Sequence, residues 1–533
     1  MAKKLKNIPA KAHPAHYMMH KYWGRKSHNV ISEYIKNYSK EGEVVLDPFM
    51  GSGVVIIESL KLNRFAYGID LNPLSKFITQ NSVERIDISN FEKVFFKIFI
   101  NNLDKFENLY NTNCPHCNSK STLLNSVYEV DEIIRVKGKC DNCGIFKKDA
   151  DQSDFNSIKK SNKIFNQYLK KNSIKFPEDE ILQYVKRSGK THIDQLFTKR
   201  ALLILSSIRE DILEETNRKI RNILMMCFSS MLPNVSKMIP GDVNTVNGKS
   251  GWQISKIWVP GVHTEKNIFE SFLSRFKKIK KGKEETNFLI NSKSYKLLNK
   301  SSEFLSNIKS NSVDYIFTDP PYGDSIAYLG LSMFFNAWLG DIPQYPREII
   351  FDPYRNKKHD DYSKRLSKVF LELNRILKPG KFLSFTFHNR DLLIWKAVID
   401  AVNNAGFIMK NLTYQEQAVA SGTQGINYKN TFKGDFVYNF YKPINSEHKI
   451  LKKNNSSDSV KLIKAKIKRM FKKKDFITSD YLYETMIPYI VKNNIYEDRD
   501  SNPINLEQIL SLDYEYTQSL KEKNIFGWQK KIN

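Results

Sequence analysis

Thr318-Asp319-Pro320-Pro321-Tyr322-Gly323 is the stretch of this 533-residue chain best equipped for chemistry. Asp319 offers a carboxylate. The two prolines fix φ and remove backbone donors, so the Pro320 carbonyl is held rigidly and is free to accept. Tyr322 adds a flat aromatic face. Together these residues make a clamp for a planar group that bears an amine. The amine donates to Asp319 and to the Pro320 carbonyl while the ring stacks on Tyr322. A tight Asp-Pro turn with no ligand is the plainer reading of the same residues.

Asp47-Pro48-Phe49-Met50-Gly51-Ser52-Gly53 is the second such stretch. Val44 to Leu46 before it reads as a strand, and Val54 to Leu60 after it as an apolar helix. The glycines let the backbone approach a ligand, and the helix N-terminus offers free N–H groups. A further strand pattern, Phe65 to Ile69, ends in Asp70. An acid about 20 residues past such a turn is placed to bind the two hydroxyls of a ribose. No third glycine stands at the dinucleotide spacing and no Gly-Lys-Ser/Thr is present, so NAD and a P-loop fit poorly. A nucleoside without phosphate fits better.

Four of the five cysteines form two pairs, Cys114-Pro115-His116-Cys117 and Cys140-Asp141-Asn142-Cys143, spaced C-x2-C-x22-C-x2-C. Zinc takes four soft ligands in a tetrahedron, and two such knuckles deliver them. With all four positions filled, the metal is structural. Ser126 to Lys137, between the knuckles, reads as a hairpin arm. Cys227, in an apolar helix pattern, reads as a core thiol. Cysteine usage of this kind fits a reducing compartment, not a disulfide framework. His13, His16 and His20 are spaced irregularly with no cysteine near. Their segment, with Tyr17, Tyr22, Trp23, Arg25 and Lys26, reads as aromatic packing beside a cofactor.

The elements that must position these groups alternate strand and helix. Val313 to Phe317 is a short apolar run that reads as a buried strand. It places Asp319 at a strand's C-terminal end, where open α/β sheets put their ligand chemistry. Further strands are expected at Phe288-Leu289-Ile290, at Phe382 to Phe387, and as a pair between 408 and 440. Helices are expected over Tyr362 to Leu377 and Trp395 to Ala405. His388, in His388-Asn389-Arg390, reads as a residue that shapes the pocket, with catalytic base as the sharper alternative. Ala201 to Leu213 and Ile220 to Leu232 are long helical patterns. A Gly-, Asn-, Ser- and Pro-rich loop with Trp252 and Trp258 follows over 233–263. After it comes a basic run through Arg275, Lys277, Lys278, Lys280, Lys281 and Lys283, either a solvated face or a grip on phosphates. In the tail, Val460, Ile463, Ile467, Met470 and Phe471 share one helical face among lysines and read as packing on the body or on DNA.

Lys and Arg number 84 against 57 Asp and Glu, a formal charge of +27, which points to a polyanionic partner, most simply nucleic acid. No apolar run approaches the roughly 18–20 residues needed to span a bilayer. Lys3, Lys4 and Lys6 lead into no hydrophobic segment, so no signal peptide is expected and the chain reads as soluble and cytoplasmic.

With both motifs in view, the chain resembles the S-adenosylmethionine-dependent DNA methyltransferases that act on exocyclic amines. Asp47 to Gly53 matches the family's F-x-G-x-G cofactor motif, and Asp319-Pro320-Pro321-Tyr322 its catalytic D-P-P-Y motif. The cofactor motif comes first, as in the group called alpha. The resemblance covers roughly residues 10–85 and 286–440. It implies an α/β, Rossmann-like methyltransferase sheet interrupted by a large zinc-ribbon and helical insert, with a small helical C-terminal tail. The expected divisions are 1–100, the first half of the methyltransferase domain; 101–150, the zinc ribbon; 151–285, a mostly helical target-recognition insert; 286–445, the second half; and 446–533, a basic helical module. By resemblance, Asp47, Phe49, Gly51, Ser52 and Gly53 line the cofactor, Asp70 holds its ribose, and Asp319, Pro320 and Tyr322 are catalytic. Cys114, Cys117, Cys140 and Cys143 would bind the structural zinc.

The D-P-P-Y form favours adenine N6 in double-stranded DNA, within restriction–modification or phage defence and with a cognate defence subunit as possible partner. Cytosine N4 is the alternative target. A guanine-N2 tRNA methyltransferase, which shares the D-P-P-Y-G string, is disfavoured by the short segment ahead of the cofactor motif. A non-catalytic zinc-ribbon DNA-binding protein is disfavoured by the two intact motifs. No nuclease motif was found.

Overall fold

The structure, a computed structural model, describes residues 3–248, 256–290, 294–323, 326–389, 391–416, 434–444, 459–499, 502–519 and 526–531. Trp252, Arg390 and the link between the expected strands over 417–433 lie outside the described residues.

Helix His28–Tyr38 (α1) buries Val30, Ile31, Tyr34 and Ile35 along one face. Strand Val44–Asp47 (β1), helix Val54–Lys61 (α2) and strand Phe65–Asp70 (β2) follow. β1 and β2 pair in parallel, with Asp47 opposite Gly68. Helices Pro73–Val83 (α3) and Ile88–Phe106 (α4) complete this half, each N-capped by a side chain, Asn72 and Asp87.

Four antiparallel strands then form the ribbon: Asn111–Asn113 (β3), Lys120–Glu129 (β4), Glu132–Cys140 (β5) and Gly144–Asp149 (β6). The expected hairpin arm is the β4–β5 pair. Helices Gln152–Lys170 (α5), Lys199–Leu213 (α6) and Arg218–Val235 (α7) make up most of the insert. The insert also holds a strand that no sequence pattern announced. Val262–Lys266 (β7) returns to pair antiparallel with β4, so the ribbon belongs to a five-stranded sheet. The two regions are locked by a buried ion pair, Arg200 Nη2 to Glu265 Oε2 at 2.7 Å, with the Tyr128 hydroxyl donating to the same oxygen at 2.8 Å.

Helix Ile268–Leu289 (α8) corrects one expectation. Phe288-Leu289-Ile290 is not a strand but the end of this helix, where the Ile290 N–H donates to the Thr286 carbonyl. A three-residue apolar run carries no period with which to tell the two apart. The strand in this region is Tyr295–Asn299 (β8). Then come Val313–Thr318 (β9), buried along its whole length, and helices Tyr328–Leu339 (α9) and His359–Ile376 (α10). Strand Leu377–Phe387 (β10), helix Leu392–Asn404 (α11) and strands Ile408–Glu416 (β11) and Gly434–Tyr441 (β12) close the body.

The resulting seven-stranded sheet has the order β11-β12-β10-β9-β1-β2-β8. β12 is antiparallel to both its neighbours, and the remaining pairs are parallel. From the central pair, the chain leaves β1 toward β2 on one side and β9 toward β10 on the other. The strand order reverses there, and a crevice opens at the strands' C-terminal ends. The architecture is a Rossmann-like α/β sheet interrupted by a helical insert with a cysteine cluster.

The tail has the expected helices, Ser459–Phe471, Ser479–Asn493 and Leu506–Asp513. It adds a small sheet of Phe476–Thr478 (β13), Tyr514–Gln518 (β14) and Phe526–Lys530 (β15) in the order β13-β15-β14. Ile463, Ile467 and Met470 are buried in the same core as Phe385, Trp395 and Tyr438, so the apolar face of the amphipathic helix packs on the body. No described helix is long and apolar enough to cross a membrane.

Candidate active site

A cavity with about 1090 Å³ of empty space, its open mouth included, lies in that crevice. Asp47, Phe49, Gly51, Ser52 and Asp70 line one side, and Asp319 and Pro320 the other. Gly53 stands between the lining residues Ser52 and Val54, and Tyr322 directly follows the lining residue Pro321. Both sequence motifs therefore meet in one space.

On the first side, Asp47 Oδ1 accepts from the Phe49 N–H at 3.0 Å and from Thr318 Oγ1 at 2.8 Å, which ties the ends of β1 and β9 together. Burial pushes the Asp47 carboxyl up to about 8, against both hydrogen bonds. The turn after it needs glycine. Gly51 and Gly53 have φ of +49° and +76°, and a Cβ on Gly53 would come within 2.5 Å of Thr79 Cγ2. Asp70 pins this turn, its Oδ2 accepting from the Gly51 N–H at 2.9 Å and its Oδ1 from the Asn72 N–H at 2.8 Å. Burial raises the Asp70 pKa, and these hydrogen bonds oppose the rise.

On the second side, the contacts of Asp319 gather on one oxygen. Oδ1 accepts from the Tyr322 hydroxyl at 2.5 Å and from Thr386 Oγ1 at 2.5 Å, and Lys26 Nζ stands 3.4 Å away. The side chain is still 24% exposed. Burial raises the Asp319 pKa above the ordinary carboxylate value, with Lys26 opposing. The Tyr362 hydroxyl donates to the Pro321 carbonyl at 2.5 Å, and the Asn389 amide to the Tyr322 carbonyl at 2.6 Å, so the Pro-Pro-Tyr backbone is braced from α10 and from the end of β10. Among the described residues the Pro320 carbonyl accepts no hydrogen bond. The Tyr322 ring is more enclosed than its sequence implies. Lys26 Nζ lies 4.7 Å above its centroid, and Phe387 and His388 approach it edge-on at 5.1 and 4.9 Å.

Three residues around Asp319 carried no signal strong enough to single them out as site residues. Lys26 closes the basic aromatic segment, whose Tyr22, Trp23, Gly24 and Arg25 also line the cavity. Its ammonium lies 2.9 Å from Asp435 Oδ2, and Asp435 in turn bonds His388 Nδ1. Burial works against the Lys26 charge, yet Asp319 and Asp435 overcome it and raise its pKa. Burial also works to raise the Asp435 carboxyl, and Lys26 with His388 hold it well below the usual range. Thr386 is the third. His388 is accordingly a partnered residue packed against the Tyr322 ring, and it does not itself line the cavity. His20 Nε2 meets Ser229 Oγ at 3.2 Å, and among the described residues the histidines form no metal-binding cluster.

The cysteines lie apart from the cavity. The sulfurs of Cys114, Cys117, Cys140 and Cys143 are all within 4.8 Å of one another, with Cys117 and Cys140 3.6 Å apart, and all four are free thiols. A tetrahedron with zinc–sulfur bonds of about 2.3 Å spaces its sulfurs at about 3.8 Å, so the donor set fits zinc. Cys227 is fully buried in α7.

The sequence pattern of a DNA methylase family, the N6/N4 type, matches residues 3–80 and 313–524, more than half of the chain. The chain belongs to this family. It is a methyltransferase that depends on S-adenosylmethionine, and the matched segments contain both sides of the cavity while omitting the insert. The chain is similar to the Type II methyltransferase M.MjaII of Methanocaldococcus jannaschii, with 22% identity over 382 residues, 67% of this chain and 69% of the relative. Among solved structures, a SAM-dependent methyltransferase of Methanosarcina mazei aligns with 29% of this chain and 72% of its own at 14% identity and a TM-score of 0.17. Phosphoethanolamine N-methyltransferase 2 of Haemonchus contortus aligns with 81% of this chain and 100% of its own at 11% identity and a TM-score of 0.15. These two likenesses are too slight to bear on the methylase's fold.

Proposed function

We propose that the protein transfers a methyl group from S-adenosylmethionine to the N6 amine of an adenine turned out of double-stranded DNA, as the modification activity of a restriction–modification or phage-defence system. The observation that carries this reading is the placement of the Asp319 carboxylate and the Pro320 carbonyl across one cavity from the Asp47–Gly53 turn.

The first side suits the cofactor. Asp47 and Asp70 offer carboxylate oxygens to ammonium and hydroxyl donors, and Phe49 and Tyr22 offer rings to an adenine. Asp47, Phe49, Gly51, Ser52 and Gly53 would hold the methionine and adenosine parts, and Asp70 the ribose. When bound, S-adenosylmethionine supplies a methyl already activated by its sulfonium.

The remaining difficulty is the adenine amine, whose lone pair is delocalised into the ring. Asp319 and the Pro320 carbonyl accept its two hydrogens. This favours a pyramidal nitrogen and stabilises the positive charge that develops on it. With three contacts gathered on Oδ1, Oδ2 is the acceptor left for the amine. Lys26 and Thr386 hold the carboxylate in place. Turning the base out of the duplex costs a few kcal/mol, and stacking on Tyr322 returns about 1–3 kcal/mol. Cys114, Cys117, Cys140 and Cys143 would hold a structural zinc with no open coordination position, and the insert would read the DNA sequence.

The test is methyl transfer from labelled S-adenosylmethionine to duplex DNA and to bulk tRNA, side by side, with Asp319→Ala as control. Label recovered as N6-methyladenine in DNA, and absent with the variant, is the expected result. N4-methylcytosine would correct the base, and label in tRNA alone would overturn the reading.

A further inference from the structure

The five-stranded sheet carries a transverse row of like charge. Asn125 of β4 is paired with Lys266 of β7 on one side and with Lys137 of β5 on the other, and Lys137 is paired with Lys147 of β6. One row across four strands thus reads Lys266, Asn125, Lys137, Lys147. Like charges directly opposed across a pair of strands are destabilising. The row continues beyond the sheet. Lys266 lies just before α8, and Arg275 and Lys278 are neighbours one turn apart along that helix. Arg275 and Lys21 line a second, smaller concavity, and Lys21 immediately precedes Tyr22, which lines the large cavity.

Among the described residues, no carboxylate pairs with this series. Among the described residues, none of Lys21, Arg275, Lys278, Lys266, Lys137 and Lys147 forms an ion pair, whereas Arg135, Lys148 and Lys280 beside them pair with Asp149, Asp151 and Glu92. Their hydrogen bonds go to neutral groups. Lys137 Nζ donates to Asn247 Oδ1 at 2.8 Å, and Arg275 to Ser230 Oγ at 2.9 Å and to the Met18 carbonyl at 3.1 Å. Burial lowers the Lys266 pKa, and Lys137 and Lys278 lower it further; burial does the same to Lys21, followed by Arg275 and Lys278. Lys266 and Lys21 therefore each feel the charge of two other members. An overall excess of +27 explains scattered lysines. It does not explain an aligned series that pairs with none of the neighbouring acids.

We propose that these six cations form one continuous track that carries the phosphate backbone of substrate DNA from the mouth of the cavity to the zinc ribbon. The inference rests on the reading of duplex DNA as substrate and names the surface that holds it. The leg from Lys266 across to Lys147 spans three strand intervals, about 14 Å. The leg along α8 from its start at Ile268 to Lys278 is about 15 Å. At about 3.4 Å per base pair, each leg matches four to five base pairs of duplex. The ribbon is then part of the DNA interface, and its zinc holds two of the track's strands in register.

The test is the salt dependence of duplex DNA binding by the full-length protein. Each phosphate contact contributes about 0.9 to the slope of log K against log salt. Lys137→Gln with Lys147→Gln is expected to weaken binding and to lower the slope by about 2, while Lys472→Gln with Lys473→Gln, exposed lysines of the tail, leaves it unchanged. An unchanged slope in the ribbon variant, or equal loss in both variants, overturns the track. A wild-type protein that shows the expected slopes but transfers no methyl to DNA would sink the proposed function and leave the track standing.

Discussion

Lys26 Nζ lies 3.4 Å from Asp319 Oδ1 and 2.9 Å from Asp435 Oδ2, and so joins the N-terminal segment to the ends of β9 and β12. A cation shared by two buried carboxylates opposes the rise that burial imposes on both. In the proposed reaction Asp319 would accept the amine hydrogens only as the carboxylate. Methyl transfer therefore falls as pH drops through its raised pKa. Lys26 is the strongest influence against that rise, so Lys26→Met leaves only the Thr386 and Tyr322 hydrogen bonds against burial and Asp435. The acid limb of kcat/KM should move to higher pH, and activity at neutral pH should fall by up to about 10²-fold, as expected for a misplaced catalytic group. A pH–rate profile checks this. A limb that stays in place would show that Lys26 does not act through Asp319.

Asp47 makes a second pH prediction. Burial holds its carboxyl near 8, so at neutral pH it is largely protonated before the cofactor enters. S-adenosylmethionine brings positive charge, which favours the ionised carboxylate. Binding should then release a proton at neutral pH, and affinity should rise as pH increases toward and past 8. Calorimetry in two buffers of different ionisation enthalpy measures that proton. Asp47→Asn should abolish its release.

Removal of metal should separate the two halves of the molecule. Metal analysis should find about one zinc per chain, lost in Cys140→Ser. Without it the β3–β6 knuckles lose their cross-link, and thermal unfolding should begin at lower temperature. Cofactor affinity should hold within about twofold, because the cavity is built from β1, β2 and β9. DNA binding should fail.

Arg200 and Glu265 are 3% and 1% exposed. Arg200→Met would leave Glu265 buried without its cation, at a cost of about 3–5 kcal/mol. Arg200→Met with Glu265→Leu should recover most of that loss. Denaturant midpoints for the three proteins decide it. A double variant as unstable as the single one would show that Arg200 acts through packing, including its position 4.4 Å over the Tyr110 ring, and not through charge.

The parts of the site carried by local pattern were legible in the sequence. Asp47 and Asp319 each follow a short apolar run, and the two glycines stand where the backbone turns left-handed. The parts carried by strand pairing were not. Thr386 reaches Asp319 because Phe385 is paired with Thr318. Asp435 reaches the site because Phe436 is paired with Phe387, at the end of β10. Neither residue type is unusual in a strand, and register between distant segments leaves no mark in either one. Lys26 looked like one more cation in a basic segment. β7 was missed for a related reason, since Val262–Lys266 is short, polar at both alternate positions, and defined as a strand only by β4 beside it.

That strand also bears on how the chain is made. β4 and β5 emerge from the ribosome with the cysteine knuckles, but β7, which covers the open edge of β4, is encoded after the intervening helices. At about 5–20 residues per second, roughly 7–27 s of synthesis separate Glu129 from Val262. Through that interval the nascent chain displays an unpaired strand edge, open to a neighbouring nascent chain or a chaperone, and the helices that follow are the parts of the protein first able to shield it.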